Sequence, residues 1–186
     1  MTRTEFIQRY GNLVATLGKK INVFPETVFA QAIVESSNGK GEFAANANAR
    51  NANNFFGIKA TKSWKGDIYI NPEVKSESNK FRKYDSIEDG LKDYFKFLVA
   101  NKRYRDAGVF DAANYREQMA AIARAGYAGA GNEAHYTNLL QKVGATVSKI
   151  LGKAVETVKE NKTTFGAGAA LAALAAGYLI FSNGKR

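Results

Sequence analysis

The chain has no cysteine and a single histidine, His135, which removes thiol nucleophiles and zinc ribbons and leaves a histidine metal cage or a Ser-His-Asp triad a poor fit. Bond-breaking chemistry therefore falls to carboxylates. Glu35 is the penultimate residue of the run PETVFAQAIVES, seven residues after Val28 and so nearly two helical turns on, close to the apolar stripe of Val28, Phe29 and Ala32. Burial disfavours a charged carboxylate, and the negative end of the helix dipole at a C-terminal turn acts in the same direction, so both effects raise its pKa. A general acid at neutral pH needs that shift. Spacing alone fits a helix-end glutamate turned into solvent at least as well.

Pro25 suits the first position of the helix that carries Glu35, and Asn38-Gly39 supplies its stop. Upstream, Thr2 and Glu5 form a capping box, after which Phe6, Tyr10, Leu13, Val14 and Leu17 recur at helical spacing and predict an amphipathic helix ending near Gly18. Residues 46–54 are poor in apolar side chains and rich in turn formers, and read as a loop feeding FFGIK. Residues 64–70 and 80–84 alternate polar and apolar types around a Pro72 turn, which predicts an antiparallel β-lobe of two or three strands. Ser86 and Asp89 mark another helix start, with Ile87, Leu91, Tyr94, Phe95 and Leu98 on one face. A shorter helix over 114–125 is closed by Gly126. Asn132 then caps a long helix in which Tyr136, Leu139, Leu140, Val143, Val147, Ile150, Ala154 and Val158 follow three-and-four spacing.

With 45% hydrophobic and 24% charged residues, a chain of 186 residues has the apolar material for a core of about one domain. Its 27 Lys+Arg against 17 Asp+Glu leave a net charge of +10, which favours an anionic partner such as nucleic acid, acidic lipid or cell wall. Charge does not choose among these. The N-terminal MTRTEFIQRYGNLV has no apolar core and does not read as a secretory signal. Residues 163–182 run about twenty residues without a charge, the length a helix needs to cross hydrocarbon. Lys159, Lys162, Lys185 and Arg186 bracket them as interface cations would, and Gly166-Ala170 and Ala169-Ala173-Gly177 offer small faces for helix pairing. A membrane anchor is the expectation, and a helix packed inside an assembly the alternative.

In chain order, QAIVESSNGKGEF, NNFFGIKA, SWKGD, FRKYDSIEDGLKDYFKFL, RY and AGYA resemble the glucosaminidase domain of glycoside hydrolase family 73, the family of bacterial autolysins and flagellar rod-associated peptidoglycan hydrolases. The blocks run from about Pro25 to about Val143. The resemblance implies a lysozyme-like α+β fold, predominantly helical with a small antiparallel β-lobe, acting as an endo-β-N-acetylglucosaminidase on the β-1,4 link after N-acetylglucosamine in peptidoglycan. No cofactor or metal is implied. The catalytic acid of the family's Glu-Ser block falls on Glu35. Glycoside hydrolysis usually uses a second carboxylate as base or nucleophile, and the family's less regular acid matches Glu73 best, 38 residues on, with Asp67 and Glu77 as rivals. Pro72 stands where the family usually has a small or hydroxyl residue, and the substrate's own 2-acetamido group is a further candidate for the attack.

Sugar binding calls for aromatic faces with amide or hydroxyl partners, which nominates Asn54, Phe56, Trp64, Tyr84, Tyr127 and Tyr136. The family's AGYA tyrosine and the tyrosine a few residues later border its cleft, and these correspond to Tyr127 and Tyr136. Phe56 and Trp64 fit hydrophobic filler under the β-lobe better than sugar stacking. His135 is expected on the surface at a helix start, without a role.

The expected organisation is a glucosaminidase domain over 1–145, an amphipathic linker helix over 146–162, a transmembrane helix over 163–182 and a basic tail over 183–186. Without an N-terminal signal, reaching the wall points to a virion membrane or the bacterial envelope, hence to a phage-borne, membrane-anchored lysin that binds glycan strands and self-associates through its membrane helix. Two rivals stand beside it. A muramidase or lytic transglycosylase on the same fold also runs on one catalytic glutamate. A non-enzymatic basic membrane protein binding nucleic acid needs exposed aromatics interleaved with cations, whereas Tyr94, Phe95 and Leu98 follow core periodicity.

Overall fold

The computed structural model describes residues 1–38 and 40–161. In chain order these form α1 (Arg3–Ile21), α2 (Pro25–Ser36), α3 (Ala47–Ala52), β1 (Ile68–Ile70), a 3₁₀ turn (Glu77–Asn79), β2 (Lys80–Arg82), α4 (Ile87–Ala100), α5 (Lys102–Asp106), α6 (Tyr115–Arg124) and α7 (Glu133–Asn161). The described chain is mostly helical with one small antiparallel sheet. It divides into two compact units, one made of Met1–Ala30 with the chain from Val99 onward, the other of Gln31–Leu98.

In the first unit α1 starts on the expected capping box. The Thr2 hydroxyl accepts from the Glu5 N–H at 3.2 Å and the Glu5 carboxylate accepts from the Thr2 N–H at 2.7 Å. Those bonds, the backbone one first, hold the Glu5 carboxyl below its usual range. The helix runs almost a turn past the expected end at Gly18. Asn22 takes a left-handed φ of 60° and donates its N–H to Gly18 O, while Lys19 and Lys20 favour the negative helix end. α7 packs on α1 and α6 and buries Leu140, Val147, Leu151 and Ala154. Gly144 faces Met119 of α6, and a Cβ there would stand 2.4 Å from Met119 Cε, so the methionine side chain would have to shift. Buried Gln118 pins α6 to the α1–α2 turn, accepting from Phe24 N and donating to Asn22 O and Val109 O, each at 2.8 Å.

In the second unit α4 buries Leu91, Tyr94, Phe95 and Leu98, as its spacing predicts. Tyr94 stacks on Phe56 with centroids 3.9 Å apart and planes 15° off parallel, and its hydroxyl donates to Gln31 Oε1. The Ser86 hydroxyl accepts from Asp89 N at 3.1 Å to open the helix. Gly90 admits α4 against the end of α3, where a Cβ would meet Asn53 O at 2.6 Å. β1 and β2 pair antiparallel with Ile68 opposite Arg82, Tyr69 opposite Phe81 and Ile70 opposite Lys80. On the other side of β2, Lys59 bridges to Phe81, with Ala60 N donating to Lys80 O and Arg82 N to Ile58 O, both at 3.0 Å.

Two sequence expectations are corrected here. The strand expected from residue 64 begins only at Ile68, because Trp64 folds back over its own loop. Its indole N–H donates to Asp67 O at 2.9 Å, and the ring lies where a Cβ on Gly66 would sit 2.5 Å away. The loop expected over 46–54 contains a helix, α3, with Asn46 as its N-cap and Asn53 in left-handed conformation as its C-cap. α5 was not foreseen at all. Gly39, the expected membrane span at 163–182 and the basic tail at 183–186 lie outside the described residues. Among the described residues no helix is long and apolar enough to cross a membrane.

Candidate active site

Glu35 occupies the last turn of α2, half-buried, between half-buried Val34 and buried Ser36. The turn is held by groups from beyond the helix. The Asn46 side-chain amide donates to Glu35 O, and the Asn46 main-chain N–H donates to Ser36 O at 3.0 Å. The Ser36 hydroxyl accepts from Ala44 N at 3.3 Å, and the Ser37 hydroxyl donates to Ile33 O at 2.6 Å. Carbonyls that a helix end leaves without partners are thus satisfied by a returning loop.

The same loop leads on to Glu73, the candidate second carboxylate. Asn46 Oδ1 accepts from Ala49 N at 3.0 Å and so starts α3. Within α3, buried Asn48 accepts from Asn71 Nδ2 at 2.9 Å, and Asn71 Oδ1 in turn accepts from Glu73 N at 2.8 Å, an Asx turn that fixes the Glu73 backbone. Arg50 Nη2 lies 3.5 Å from Glu73 Oε1, with both side chains more than half exposed. Asp67 is exposed and gives its main-chain oxygen to Trp64 and Lys83, while Glu77 opens the 3₁₀ turn. Glu73 is thus linked to α3 through Asn71 at its backbone and faces Arg50 of α3 with its carboxylate.

The nominated aromatic and amide groups separate by setting. Asn54 is fully buried and donates to Ile58 O at 2.9 Å and Arg82 O at 2.8 Å, while its oxygen accepts from Ile58 N at 3.0 Å. Its amide is committed to main chain and shapes the FFGIK segment. Phe56 is core, stacked under Tyr94. Half-buried Trp64 meets Tyr84 edge-on at 5.9 Å, and the Arg82 guanidinium lies 4.5 Å over its ring. Asp93 joins that group, accepting from Arg82 Nη1 and from the Tyr84 hydroxyl, both at 2.7 Å. Burial first, then the bond to Asp93 and its charge, push the Tyr84 hydroxyl far above its usual pKa. In the other unit Tyr127 is half-buried and stacks on Tyr136 with centroids 6.1 Å apart and planes 7° off parallel, and Tyr104 tilts against it at 6.3 Å. Tyr136 itself is buried, and His135 is exposed.

Sequence reasoning missed Asn46, Asn48, Asn71, Arg82 and Asp93 as the groups that set these positions. The available signal was the asparagine density of residues 46–54, which marks caps as well as loops. Among the described residues no three His, Cys, Asp or Glu side chains gather where a metal ion could sit.

A family model for glucosaminidase, described as mannosyl-glycoprotein endo-β-N-acetylglucosaminidase, matches residues 11–149. The chain belongs to the glucosaminidase family. Membership takes in most of α1 and half of α7, a wider stretch than the sequence blocks alone span, and makes this a glycoside hydrolase domain. It is 33% identical over 154 residues to the peptidoglycan hydrolase FlgJ of Salmonella typhimurium, covering 78% of this chain and 48% of FlgJ. To the exo-glucosaminidase LytG of Bacillus subtilis it is 33% identical over 135 residues, covering 66% of this chain and 45% of LytG. The chain spans about half the length of the curated relatives it matches. The solved glycoside hydrolase domain of Salmonella typhimurium FlgJ superposes with a TM-score of 0.65 at 26% identity, covering 89% of this chain and 100% of that one.

Proposed function

We propose that this glucosaminidase domain hydrolyses peptidoglycan, cutting the β-1,4 bond after N-acetylglucosamine within glycan strands, with Glu35 as the general acid. The observation that carries the reading is a half-buried carboxyl in the last turn of α2, its backbone clasped by Asn46, in a domain of this family. Glu35 passes its proton to the glycosidic oxygen as the anomeric C–O bond breaks. Glu73, on the exposed Asx turn, either takes a proton from the attacking water or attacks the anomeric carbon itself, forming a glycosyl-enzyme ester that water then opens with Glu35 accepting its proton. The names of the relatives, a peptidoglycan hydrolase and an exo-glucosaminidase, support the substrate class and the bond. Mass spectrometry of purified walls digested by the full chain tests this. Reducing N-acetylglucosamine ends, with long oligomers released early, support it. Anhydromuramic ends indicate a lytic transglycosylase, reducing muramic ends a muramidase, and either overturns it.

The anchoring of this activity is part of the proposal. The uncharged run over 163–182, bracketed by Lys159, Lys162, Lys185 and Arg186, supports a single membrane-spanning helix with small faces for self-association. A membrane-containing phage particle is the setting we propose for a wall hydrolase tethered in this way.

A further inference from the structure

The Arg103-Tyr104 pair has no part in the chemistry above, yet it sits at the centre of the tyrosine array. Arg103 lies on α5, exposed, and its guanidinium makes three contacts. Nη2 donates to the Tyr104 hydroxyl at 2.6 Å, Nη1 donates to Gly126 O at 3.4 Å, and the guanidinium carbon lies 4.8 Å from the Tyr104 ring centroid. Gly126 O also accepts from Gly129 N at 3.2 Å, which closes a four-residue turn with Tyr127 and Ala128 at its centre. Gly126, Gly129 and Gly131 all have positive φ, from 76° to 85°. Glycines that adopt such angles at no steric cost also leave them easily, so this segment has little conformational preference of its own. Its geometry has to be imposed by neighbours. Fully buried Tyr104 is a fixed wall, Tyr127 leans on it, and Tyr136 continues the stack from α7.

We propose that Arg103 is a positioning residue for Tyr127, clamping the Gly126–Gly129 turn to Tyr104 so that the Tyr127 ring is presented in one orientation to the sugar. The inference rests on the proposed function and on the sugar-binding role expected of Tyr127 from the family resemblance. The planar fork matters, because one group must reach a hydroxyl and a carbonyl in different directions while lying over a ring, and a lysine ammonium is a point charge without that shape.

Initial rates of the full-length Arg103→Ala, Arg103→Lys, Tyr127→Ala and Arg103→Ala/Tyr127→Ala proteins, over a range of peptidoglycan concentrations, test it alongside near-ultraviolet circular dichroism. Arg103→Ala is expected to raise KM roughly three- to ten-fold with kcat nearly unchanged, the size of one lost aromatic contact. Arg103→Lys should not restore KM, the tyrosine dichroism should weaken in both, and the double variant should be no worse than Tyr127→Ala. Effects of the two sites that add, restoration by lysine, or a fall in kcat and melting temperature with KM unmoved would each overturn the inference. A normal KM in Arg103→Ala beside an impaired Tyr127→Ala sinks the clamp alone. A normal KM in Tyr127→Ala removes the sugar-binding role and the clamp with it.

Discussion

The side chain of Asn46 donates to the main-chain oxygen of Glu35 and accepts from the main-chain N–H of Ala49, so one amide closes the helix bearing the candidate acid and opens the next. α3 then carries the connection onward, through Asn48 and Asn71 to the backbone of Glu73, through Arg50 to its carboxylate, and through Ala52 O to the N–H of Tyr84 at 3.0 Å. A six-residue helix and its N-cap are therefore linked to the backbones of both Glu35 and Glu73.

Asn46→Asp keeps an acceptor for Ala49 and loses the donor to Glu35 O, whereas Asn46→Ala loses both. Thermal melts should show Asn46→Ala less stable by about 1 kcal/mol, the usual worth of an N-cap. Both variants should lose wall-hydrolysis rate, since displacement of a catalytic group by about 1 Å can cost roughly 10²-fold. A wild-type rate in Asn46→Asp would separate the cap from the acid.

Glu35→Gln keeps the shape of the side chain and deletes the proton. Hydrolysis of purified walls should fall by roughly 10²–10⁴-fold with an unchanged melting profile. Retention of half the activity by a folded variant would move the acid elsewhere.

Glu73→Gln should reduce the rate more than Asp67→Asn or Glu77→Gln, because the Asn48–Asn71 bridge fixes the Glu73 backbone. Equal losses in parallel rate assays would leave α3 unconnected to the second group. Arg50→Ala removes an exposed pair and should alter stability by no more than about 1 kcal/mol.

Tyr84 gives the fold an alkaline limit. In the unfolded chain its hydroxyl ionises at about pH 10, while in the folded protein burial and Asp93 keep it protonated well above that. A group with a raised folded pKa contributes stability that is whole below the unfolded pKa and is lost as pH climbs beyond it. Melting temperatures followed from neutral to strongly alkaline pH should fall more steeply for the wild type than for Tyr84→Phe. At neutral pH that variant should be weaker by about 1.5–3 kcal/mol, having lost a hydrogen bond to a charged group.

Extraction addresses the anchor. The full chain should partition with membranes and need detergent, and a version ending at Lys162 should be released in buffer alone. A full-length protein that stays monomeric in buffer would overturn the anchor and the virion setting together.

The sequence determined what is local. The capping box at Thr2 and Glu5, Pro25 at a helix start, the face of Leu91, Tyr94 and Leu98, and the position of Glu35 near the end of α2 all depend on residues within about a turn of one another. The blocks from QAIVES to AGYA identified the family for the same reason, since they are read in order along the chain. Tertiary structure decided the partners of side chains whose types are ambiguous in sequence. An asparagine serves equally as turn former, N-cap or C-cap, and beyond their local roles Asn46, Asn48 and Asn53 bond Glu35, Asn71 and Tyr84, which lie 11, 23 and 31 residues away in the chain. A helix as short as α3 is unstable alone, so its asparagines read equally as caps or as a loop until the neighbouring chain packs on it. Arg103 likewise looks like any surface cation until folding brings Gly126 O, 23 residues on, within reach of its guanidinium.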